Sequence, residues 1–197
     1  MRHISNEQVK EILDYQELIA ALQTAYATKR ITVGKKGQHQ LSDQDSFLLM
    51  PSWSADFLGT KLMAVVPDNP ELGLSSHQGI YILQHRKTGV VACTMDAATL
   101  TLIRTACTSA VASKTLSKED SKSLLVIGTG PLAKHMAIAH SHVRAIDQIY
   151  VWGRDDQKAT MVVEQLSSEV AAQVSAIKDF KEVLSTVDII SLATSAP

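Results

Sequence analysis

The chain has 197 residues, of which 45% are hydrophobic and 20% are charged, and its formal net charge is −1. This is the composition of a globular protein, and the near-neutral balance gives no electrostatic case for nucleic acid or an anionic membrane as the main partner. The N-terminus lacks the apolar core of a secretory signal, and no apolar run approaches the roughly 18 residues that a membrane span requires.

The first half of the chain predicts two helices and then a meander of strands. Ser5-Asn6-Glu7-Gln8 has the form of a capping box before a short helix, and an amphipathic helix should extend from Asp14 to about Thr28. Residues 31–45 are polar and predict an irregular segment. Four strand-like runs follow, the last two joined by a hairpin turn in which Gly89 supplies a positive φ, at residues 47–50, 61–66, 80–84 and 90–95.

A long helix from Asp96, its expected N-cap, to about Leu116 leads into the second half of the chain. Beyond a polar connector, strands and helices alternate, which is typical of an α/β fold with a parallel sheet. We therefore divide the chain into a meander-rich part, residues 1–116, and a Rossmann-like part, residues 117–197. The second part has predicted strands at residues 124–127, 149–152, 174–177 and 187–192, and predicted helices at residues 131–142, 155–172 and 179–185.

A glycine turn follows the first strand of the Rossmann-like part. Gly128 allows a tight turn, Gly130 lets a pyrophosphate approach the backbone, and Ala133 is small enough for close packing of helix against strand. The free N–H groups and the positive dipole end of the helix that starts at Pro131 would hold the phosphates. The pattern predicts dinucleotide binding, and the alternative is a glycine-rich connection without a ligand.

The end of the second strand bears on which dinucleotide is bound. An NAD site usually has an acidic residue here that accepts a hydrogen bond from the ribose 2′-hydroxyl, but this strand is followed by Gly153-Arg154. A guanidinium suits a 2′-phosphate, although Asp155 and Asp156 directly after it weaken that inference. The sequence favours NADP(H) and leaves NAD(H) open, with a solvated Arg154 as the alternative.

The histidines and cysteines do not predict a metal site. His135, His140 and His142 are spaced by five and two residues, which places no pair one helical turn apart and favours surface or capping roles. Cys93 and Cys107 lie in apolar surroundings without a CxxC spacing, so we expect free, buried thiols in a reducing cytosol.

Several motifs occur in order along the chain: LLMPSW at 48–53, GTKL at 59–62, the Thr88-Gly89 hairpin, LTLIRTA at 100–106, the glycine turn, and VDIISLAT at 187–194. Over essentially the whole chain they resemble the ornithine cyclodeaminase/mu-crystallin family. The resemblance implies a cytoplasmic homodimer with an N-terminal α+β substrate and dimerisation domain. It also implies a small α-amino or α-imino acid as the ligand. Members cyclise ornithine with catalytic NAD, reduce cyclic ketimines, interconvert alanine and pyruvate, or bind NADPH and a thyroid hormone.

The resemblance also implies roles for individual residues. Lys61 matches a lysine that touches the substrate carboxylate and is expected to assist proton transfer, and Arg104 matches an arginine between substrate and cofactor. An ammonium in an apolar strand is unfavourable without an anionic partner, and a guanidinium can hold a carboxylate by two hydrogen bonds. The alternatives are a Lys61 that snorkels at a sheet edge and an Arg104 that pairs with a structural acid. Besides Arg104, the residues that match the family's cofactor contacts are Gly128, Gly130, Pro131, Leu132, Gly153, Arg154, Asp155 and Thr194.

Two features depart from the family pattern. The family has a second carboxylate-binding arginine upstream of the Leu-Met-Pro motif, where this chain offers Lys36 as a point charge without the planar fork. The chain ends at Pro197 after about one and a half of the two βαβαβ halves, so the family's catalytic aspartate is expected to lie beyond it. The sequence is then a fragment, a truncated gene product or the first part of a longer chain, and a product really ending there is expected to be unstable alone.

The leading hypothesis is an NADPH-dependent reductase of a cyclic ketimine acid, with Δ1-pyrroline-2-carboxylate reduced to L-proline. Two alternatives stay open: ornithine cyclodeaminase, a lyase that regenerates its NAD, and a non-catalytic protein that holds NADPH and a hormone-like ligand. Steady-state oxidation of NADPH with cyclic imines separates the enzyme from the binding protein. The lyase would prefer an acidic residue where Gly153-Arg154 stands.

Overall fold

The chain forms two compact units, and a computed structural model describes residues 1–194. The first unit comprises Met1–Asp14 and Gln23–Thr101. The second comprises Tyr15–Leu22 and the chain from Leu102 onward. Each unit contains one sheet.

The long helix α3 (Ala97–Leu116) contains the division between the units. The sequence predicts a domain boundary near residue 117, whereas the compact units divide directly after Thr101. The rest of α3 belongs to the second unit because its buried side contacts that unit. One such contact joins the hydroxyl oxygen of Ser109 to Nε2 of His140 at 3.2 Å.

The first unit is built on a sheet of seven strands. These are β1 (Arg2–Ile4), β2 (Thr32–Val33), β3 (Gly37–Gln40), β4 (Ser46–Trp53), β5 (Phe57–Val65), β6 (His77–His85) and β7 (Val91–Asp96). Their order is β1-β7-β6-β5-β4-β2, and β3 also pairs with β4. The run from β4 to β7 is an antiparallel meander, and the turn between β6 and β7 has the predicted positive φ, 69°, at Gly89.

The irregular segment predicted over residues 31–45 is partly wrong. Within it, β2 and β3 both pair antiparallel with β4, separated by residues 34–36, and the chain leaves the sheet again at residues 41–45. Gly34 lies in that interruption, where a Cβ would come within 2.9 Å of the side chains of Pro51 and Trp53. The polar composition was misleading because edge strands keep many of their side chains in water.

Polar side chains link the first turns of two helices, α1 (Asn6–Ile12) and α3. Helix α1 begins at the predicted capping box. Helix α2 (Tyr15–Thr28) follows it as predicted, and its first residues, Tyr15–Leu22, belong to the second unit. The side-chain oxygen of Asn6 accepts a hydrogen bond from the Thr99 N–H at 3.0 Å, in the first turn of α3. Asp96, the expected N-cap of α3, accepts a hydrogen bond from the Asn6 N–H at 3.1 Å. The starts of α1 and α3 therefore stabilise each other.

The second unit contains a parallel sheet of four strands with helices in the connections. The elements are β8 (Ser123–Ile127), α4 (Pro131–Ser141), β9 (Gln148–Trp152), α5 (Asp156–Leu166), β10 (Gln173–Ala176) and β11 (Ile189–Leu192). The order β10-β9-β8-β11 places the switch point of a doubly wound sheet between β8 and β11. Leu124, Val126, Ile149 and Val151 are fully buried, as expected for strands covered on both faces. This confirms the Rossmann-like prediction.

Two predicted helices of the second unit are shorter than expected. Helix α5 ends at Leu166 rather than near residue 172. Directly after this end, the Ser167 hydroxyl donates a hydrogen bond to the Val163 carbonyl at 2.8 Å. Serine side chains compete in this way with the backbone ladder. The helix predicted over 179–185 is a single 3-10 turn, Phe180–Glu182.

The prediction for the histidines of α4 is correct for His142 and wrong for His140. His142 is exposed and caps the end of the helix. His140 is only 2% exposed, and this burial lowers its pKa to about 4. Helix α4 is covered on more than one side, so the apolar spacing along it did not reveal that a polar side chain would also be buried.

Candidate functional site

The glycine turn lies between β8 and α4. Gly128 has a φ of 131°, and a Cβ there would overlap the carbonyl oxygen of Ala193 and lie 2.7 Å from its carbonyl carbon. The Gly128 N–H donates to the carbonyl of Trp152 at 2.8 Å. Glycine is therefore required at this position by the backbone of the sheet itself, whether or not a ligand is bound.

Gly130 is a different case, because it faces open space. It is exposed, and a Cβ at this position would meet nothing within 4 Å. Gly130 is the N-cap of α4, Pro131 occupies the first turn, and within residues 1–194 no side chain caps this end of the helix. An uncapped and accessible helix N-terminus can bind phosphate through its N–H groups. Behind it, Leu132 is partly buried and Ala133 fully buried, which brings α4 close to the sheet.

The end of β9 packs against this turn. A Cβ at Gly153 would lie 2.5 Å from the methyl carbon of Thr129, so the two loops meet through a glycine. Arg154 is exposed. The Asp155 carboxylate is the N-cap of α5, where its Oδ1 accepts hydrogen bonds from the N–H groups of Gln157 (3.0 Å) and Lys158 (3.1 Å).

The predicted cofactor residues of the second unit thus share one edge of its sheet. The glycine turn follows β8, Arg154 follows β9, and the exposed Thr194 lies just after β11. These are the carboxyl ends of parallel strands, at the switch point where open α/β sheets bind ligands. Arg104, the remaining predicted cofactor and substrate contact, is exposed on α3 in the same unit.

Lys61 lies in the middle of β5, an interior strand of the first sheet, and not at a sheet edge. It is 8% exposed, and its cross-strand neighbours are Met50 on β4 and Tyr81 on β6. The Lys61 ammonium donates a hydrogen bond to the hydroxyl oxygen of Thr101 at 3.2 Å. Lys61 is therefore largely buried, and its hydrogen bond to Thr101 helps to fix the position of the side chain.

Lys36 is exposed in the interruption between β2 and β3. The register of β3 with β4 ends at the pair Gly37 and Leu49, so Lys36 comes at the level of Met50. Met50 is itself the cross-strand neighbour of Lys61. The two lysines therefore stand at one level of the sheet, on either side of β4.

Sequence reasoning missed two residues near Lys61, namely Thr101 and Tyr81. Gly59 could have indicated that a side chain such as Tyr81 lies over it, because a glycine inside a strand often marks a place where another group approaches closely. A Cβ at Gly59 would overlap the hydroxyl oxygen of Tyr81. No local pattern could reveal Thr101, because it meets Lys61 only after α3 has packed against the sheet.

Two negative findings apply to the described part of the chain. Among residues 1–194, none of the helices combines the length and the apolar character of a bilayer-spanning segment. Over the same range, no three side chains of histidine, cysteine, aspartate or glutamate are grouped as a metal site would need.

Comparison of the sequence with known proteins finds several relatives that bear the same enzyme name. The chain is 33% identical over 205 residues to the Δ1-pyrroline-2-carboxylate reductase of Colwellia psychrerythraea, covering all of this chain and 64% of that protein. It is 31% identical to the enzyme of the same name from Bacillus cereus, covering 98% of this chain and 61% of that protein. The chain therefore spans less than two thirds of the length of these curated relatives.

A solved structure with a similar fold belongs to an enzyme of the same name. The structure matches that of Thermococcus litoralis Δ1-pyrroline-2-carboxylate reductase in complex with NADH and L-proline, with a TM-score of 0.93 and 26% identity. This match covers all of this chain and 62% of that one. The family model for ornithine cyclodeaminase/mu-crystallin matches residues 3–197, which confirms the resemblance seen in the motifs. The chain belongs to the ornithine cyclodeaminase/mu-crystallin family.

Proposed function

We propose that this protein is an NADPH-dependent reductase that converts Δ1-pyrroline-2-carboxylate to L-proline. The observation that carries the proposal is the buried ammonium of Lys61, read together with relatives that bear this enzyme's name. An ammonium that the protein holds in place can bind a small carboxylate through a charge-assisted hydrogen bond, so the first unit suits such a ligand. The second unit contributes a dinucleotide site at the carboxyl edge of its parallel sheet.

Lys61 is the anchor for the substrate carboxylate. Its hydrogen bond with Thr101 positions the ammonium before any ligand arrives, so little reorganisation accompanies binding. Lys36, at the same level of the sheet, adds a second positive charge toward the same anion. Arg104 supplies a guanidinium that can bind a carboxylate by two hydrogen bonds.

The chemistry requires a hydride at the C=N carbon and a proton at the nitrogen. When bound, NADPH supplies the hydride. The residues of this chain bind the carboxylate attached to that carbon and so orient the C=N bond. The low dielectric around the buried Lys61 strengthens the attraction, and the same ammonium is our candidate for the proton donor.

The preference for NADPH over NADH rests on Arg154 and Asp155. Arg154 is exposed at the end of β9, where a 2′-phosphate would lie. Oδ1 of Asp155 already accepts two backbone N–H groups as the cap of α5, which leaves this carboxylate less suited to a ribose hydroxyl. The guanidinium is then the principal group facing the 2′ position.

The activity test is steady-state oxidation of NADPH by the purified protein. We expect oxidation with Δ1-pyrroline-2-carboxylate and formation of L-proline, and no ammonia release from L-ornithine with NAD. Release of ammonia from ornithine would contradict the reductase and favour the cyclodeaminase. Tight NADPH binding without turnover of either compound would favour the non-catalytic binding protein.

The cofactor test compares affinities for NADPH and NADH by fluorescence titration. Arg154→Ala should weaken NADPH binding by about tenfold or more and leave NADH binding nearly unchanged, because a charge-assisted hydrogen bond is lost. Lys118→Ala removes an equal charge from an exposed position before β8 and serves as the control. Equal affinity for the two cofactors in the unchanged protein would contradict the NADPH preference.

The proposal also includes a homodimer formed by the first sheet. On the face opposite Lys61, Leu49, Leu62, Ile80 and Ile82 lie on adjacent strands and remain partly exposed. An apolar sheet face of this kind can be covered by a second copy of the chain. Leu62→Glu should shift the protein to monomers in size-exclusion chromatography with light scattering, whereas Leu74→Glu, in an exposed loop, should not.

A further inference from the structure

Tyr81 is an aromatic residue next to Lys61 in the first sheet. Tyr81 stands directly opposite Lys61 in the register of β5 and β6, so the two side chains leave the same face with Cβ atoms about 5 Å apart. The outer members of this row are Met50, beside Lys61, and Met95, beside Tyr81. An aromatic ring therefore borders the buried ammonium in an otherwise apolar row.

Gly59 determines how the Tyr81 ring lies. It is on the same face, diagonally across from Tyr81, and a Cβ there would overlap the Tyr81 hydroxyl oxygen and lie 2.8 Å from the ring carbon Cζ. The tip of the ring therefore lies close over Gly59, near the position that a Cβ atom would take. The ring extends along the sheet, as aromatic residues do when they cover a cross-strand glycine, and it stays partly exposed.

We propose that Tyr81 is a specificity-determining residue, which forms the floor on which a planar cyclic imino acid rests while Lys61 holds its carboxylate. The inference rests on the proposed function and adds a reason for selectivity. In Δ1-pyrroline-2-carboxylate the carbon that bears the carboxylate is trigonal, so carboxylate and C=N bond lie in one plane. In L-proline the same carbon is tetrahedral, and the carboxylate leaves the plane of the ring.

This difference in shape decides which ligand fits. A flat ligand can lie along an aromatic ring and still direct its carboxylate sideways to Lys61. A puckered ligand that keeps its carboxylate on Lys61 must lift part of its ring away from Tyr81. The Tyr81 floor therefore binds the flat substrate more tightly than the puckered product, which also favours product release.

The experiment uses three variants and two stable ligands. Tyr81→Leu removes the ring, Tyr81→Phe keeps it, and Gly59→Ala displaces it without changing any atom of the ring. The ligands are pyrrole-2-carboxylate, which is planar, and L-proline, and their dissociation constants are measured by calorimetric titration of the protein. Thermal melting of each variant shows whether it is folded.

We expect Tyr81→Leu and Gly59→Ala to weaken pyrrole-2-carboxylate by about tenfold and L-proline by less than about twofold, the scale of one aromatic contact. Tyr81→Phe should leave both constants nearly unchanged. The ratio of the two constants is independent of any small unfolded fraction, so a loss of stability alone cannot mimic the result.

If Tyr81→Leu weakened the binding of both ligands equally, the proposed role of the Tyr81 ring would be wrong. It would also be wrong if the ratio of the two dissociation constants stayed unchanged in both Tyr81→Leu and Gly59→Ala. A changed ratio in Tyr81→Phe would also overturn it, because the hydroxyl group would then be responsible. These outcomes leave the proposed reductase intact if turnover persists. Failure of the unchanged protein to bind either ligand would overturn the floor and the proposed function together.

Discussion

The two units differ in what their candidate sites are made of. In the second unit the site is mainly backbone: a glycine turn, an uncapped helix end and exposed side chains around it. In the first unit it is one buried charged side chain in an interior strand. A backbone site depends on where a Cβ can be tolerated, whereas a side-chain site depends on one functional group. The two sites should therefore respond to mutation in different ways.

The units also differ in how far water reaches the polar groups of their candidate sites. The uncapped N-terminus of α4 is exposed, so water can satisfy its N–H groups when no phosphate is present. Lys61 is largely removed from water, so its ammonium depends on protein groups such as Thr101 for hydrogen bonds. Substitution of Lys61 is therefore the sharpest test of the comparison.

Lys61→Met should lower kcat/KM for the imino acid by about tenfold to a hundredfold, the value of one charge-assisted hydrogen bond. It should not lower the melting temperature, because a similar apolar side chain replaces a buried charge. Lys36→Met, at an exposed position on the same level of the sheet, is the control and should have a smaller effect. Unchanged kinetics of Lys61→Met would remove this residue from the site, and an unfolded variant would assign it a structural role.

The glycine turn offers a matched pair of substitutions in the second unit. Gly128→Ala should destabilise the fold by about 3 kcal/mol or more, because its φ is positive and its Cβ would overlap the Ala193 backbone. Gly130→Ala has open space and should leave the melting temperature unchanged. If a pyrophosphate approaches there, Gly130→Ala should nevertheless weaken NADPH binding. Normal NADPH affinity in this variant would contradict the predicted phosphate contact.

The same contrast explains how far the sequence could be interpreted. The second unit was predictable because its features are local: an apolar strand, a glycine turn and a helix that starts with proline follow each other within a few residues. The hairpin at Gly89 and the capping box at Ser5 are local in the same sense. Each confirmed feature needs only the covalent neighbourhood to be recognised.

The missed features depend on contacts between residues far apart in the chain. The Thr101 hydroxyl meets Lys61 across 40 residues, and Tyr81 lies over Gly59 only because two strands pair in one register. Similarly, polar residues 37–40 form an edge strand because β4 offers them a partner. Family motifs pointed to Lys61, but only tertiary structure identified its neighbours.

Buried His140 gives a test of the second unit through the dependence of its stability on pH. Its pKa is lowered to about 4 by burial, so between pH 6.5 and pH 4 the unfolded chain takes up a proton that the folded chain does not. Stability present above pH 6.5 should fall by about 2–3 kcal/mol as the pH decreases toward 4. Urea denaturation at several pH values should show a weaker decline for His140→Gln than for His142→Gln, the exposed control. Equal declines would mean that His140 is accessible to protons in the folded state.

The smallest expected effect separates two roles of Asp155. As the N-cap of α5 it accepts hydrogen bonds from the Gln157 and Lys158 N–H groups, so Asp155→Ala should cost about 1 kcal/mol of stability. Asp155→Asn should restore most of that stability, because an amide oxygen can also accept these bonds. If capping is its main task, neither variant should reduce the affinity for NADH, measured by the same titration as for Arg154. A selective loss of NADH binding in both variants would instead show that the carboxylate reaches the ribose, and the guanidinium would then share the 2′ position with an acid.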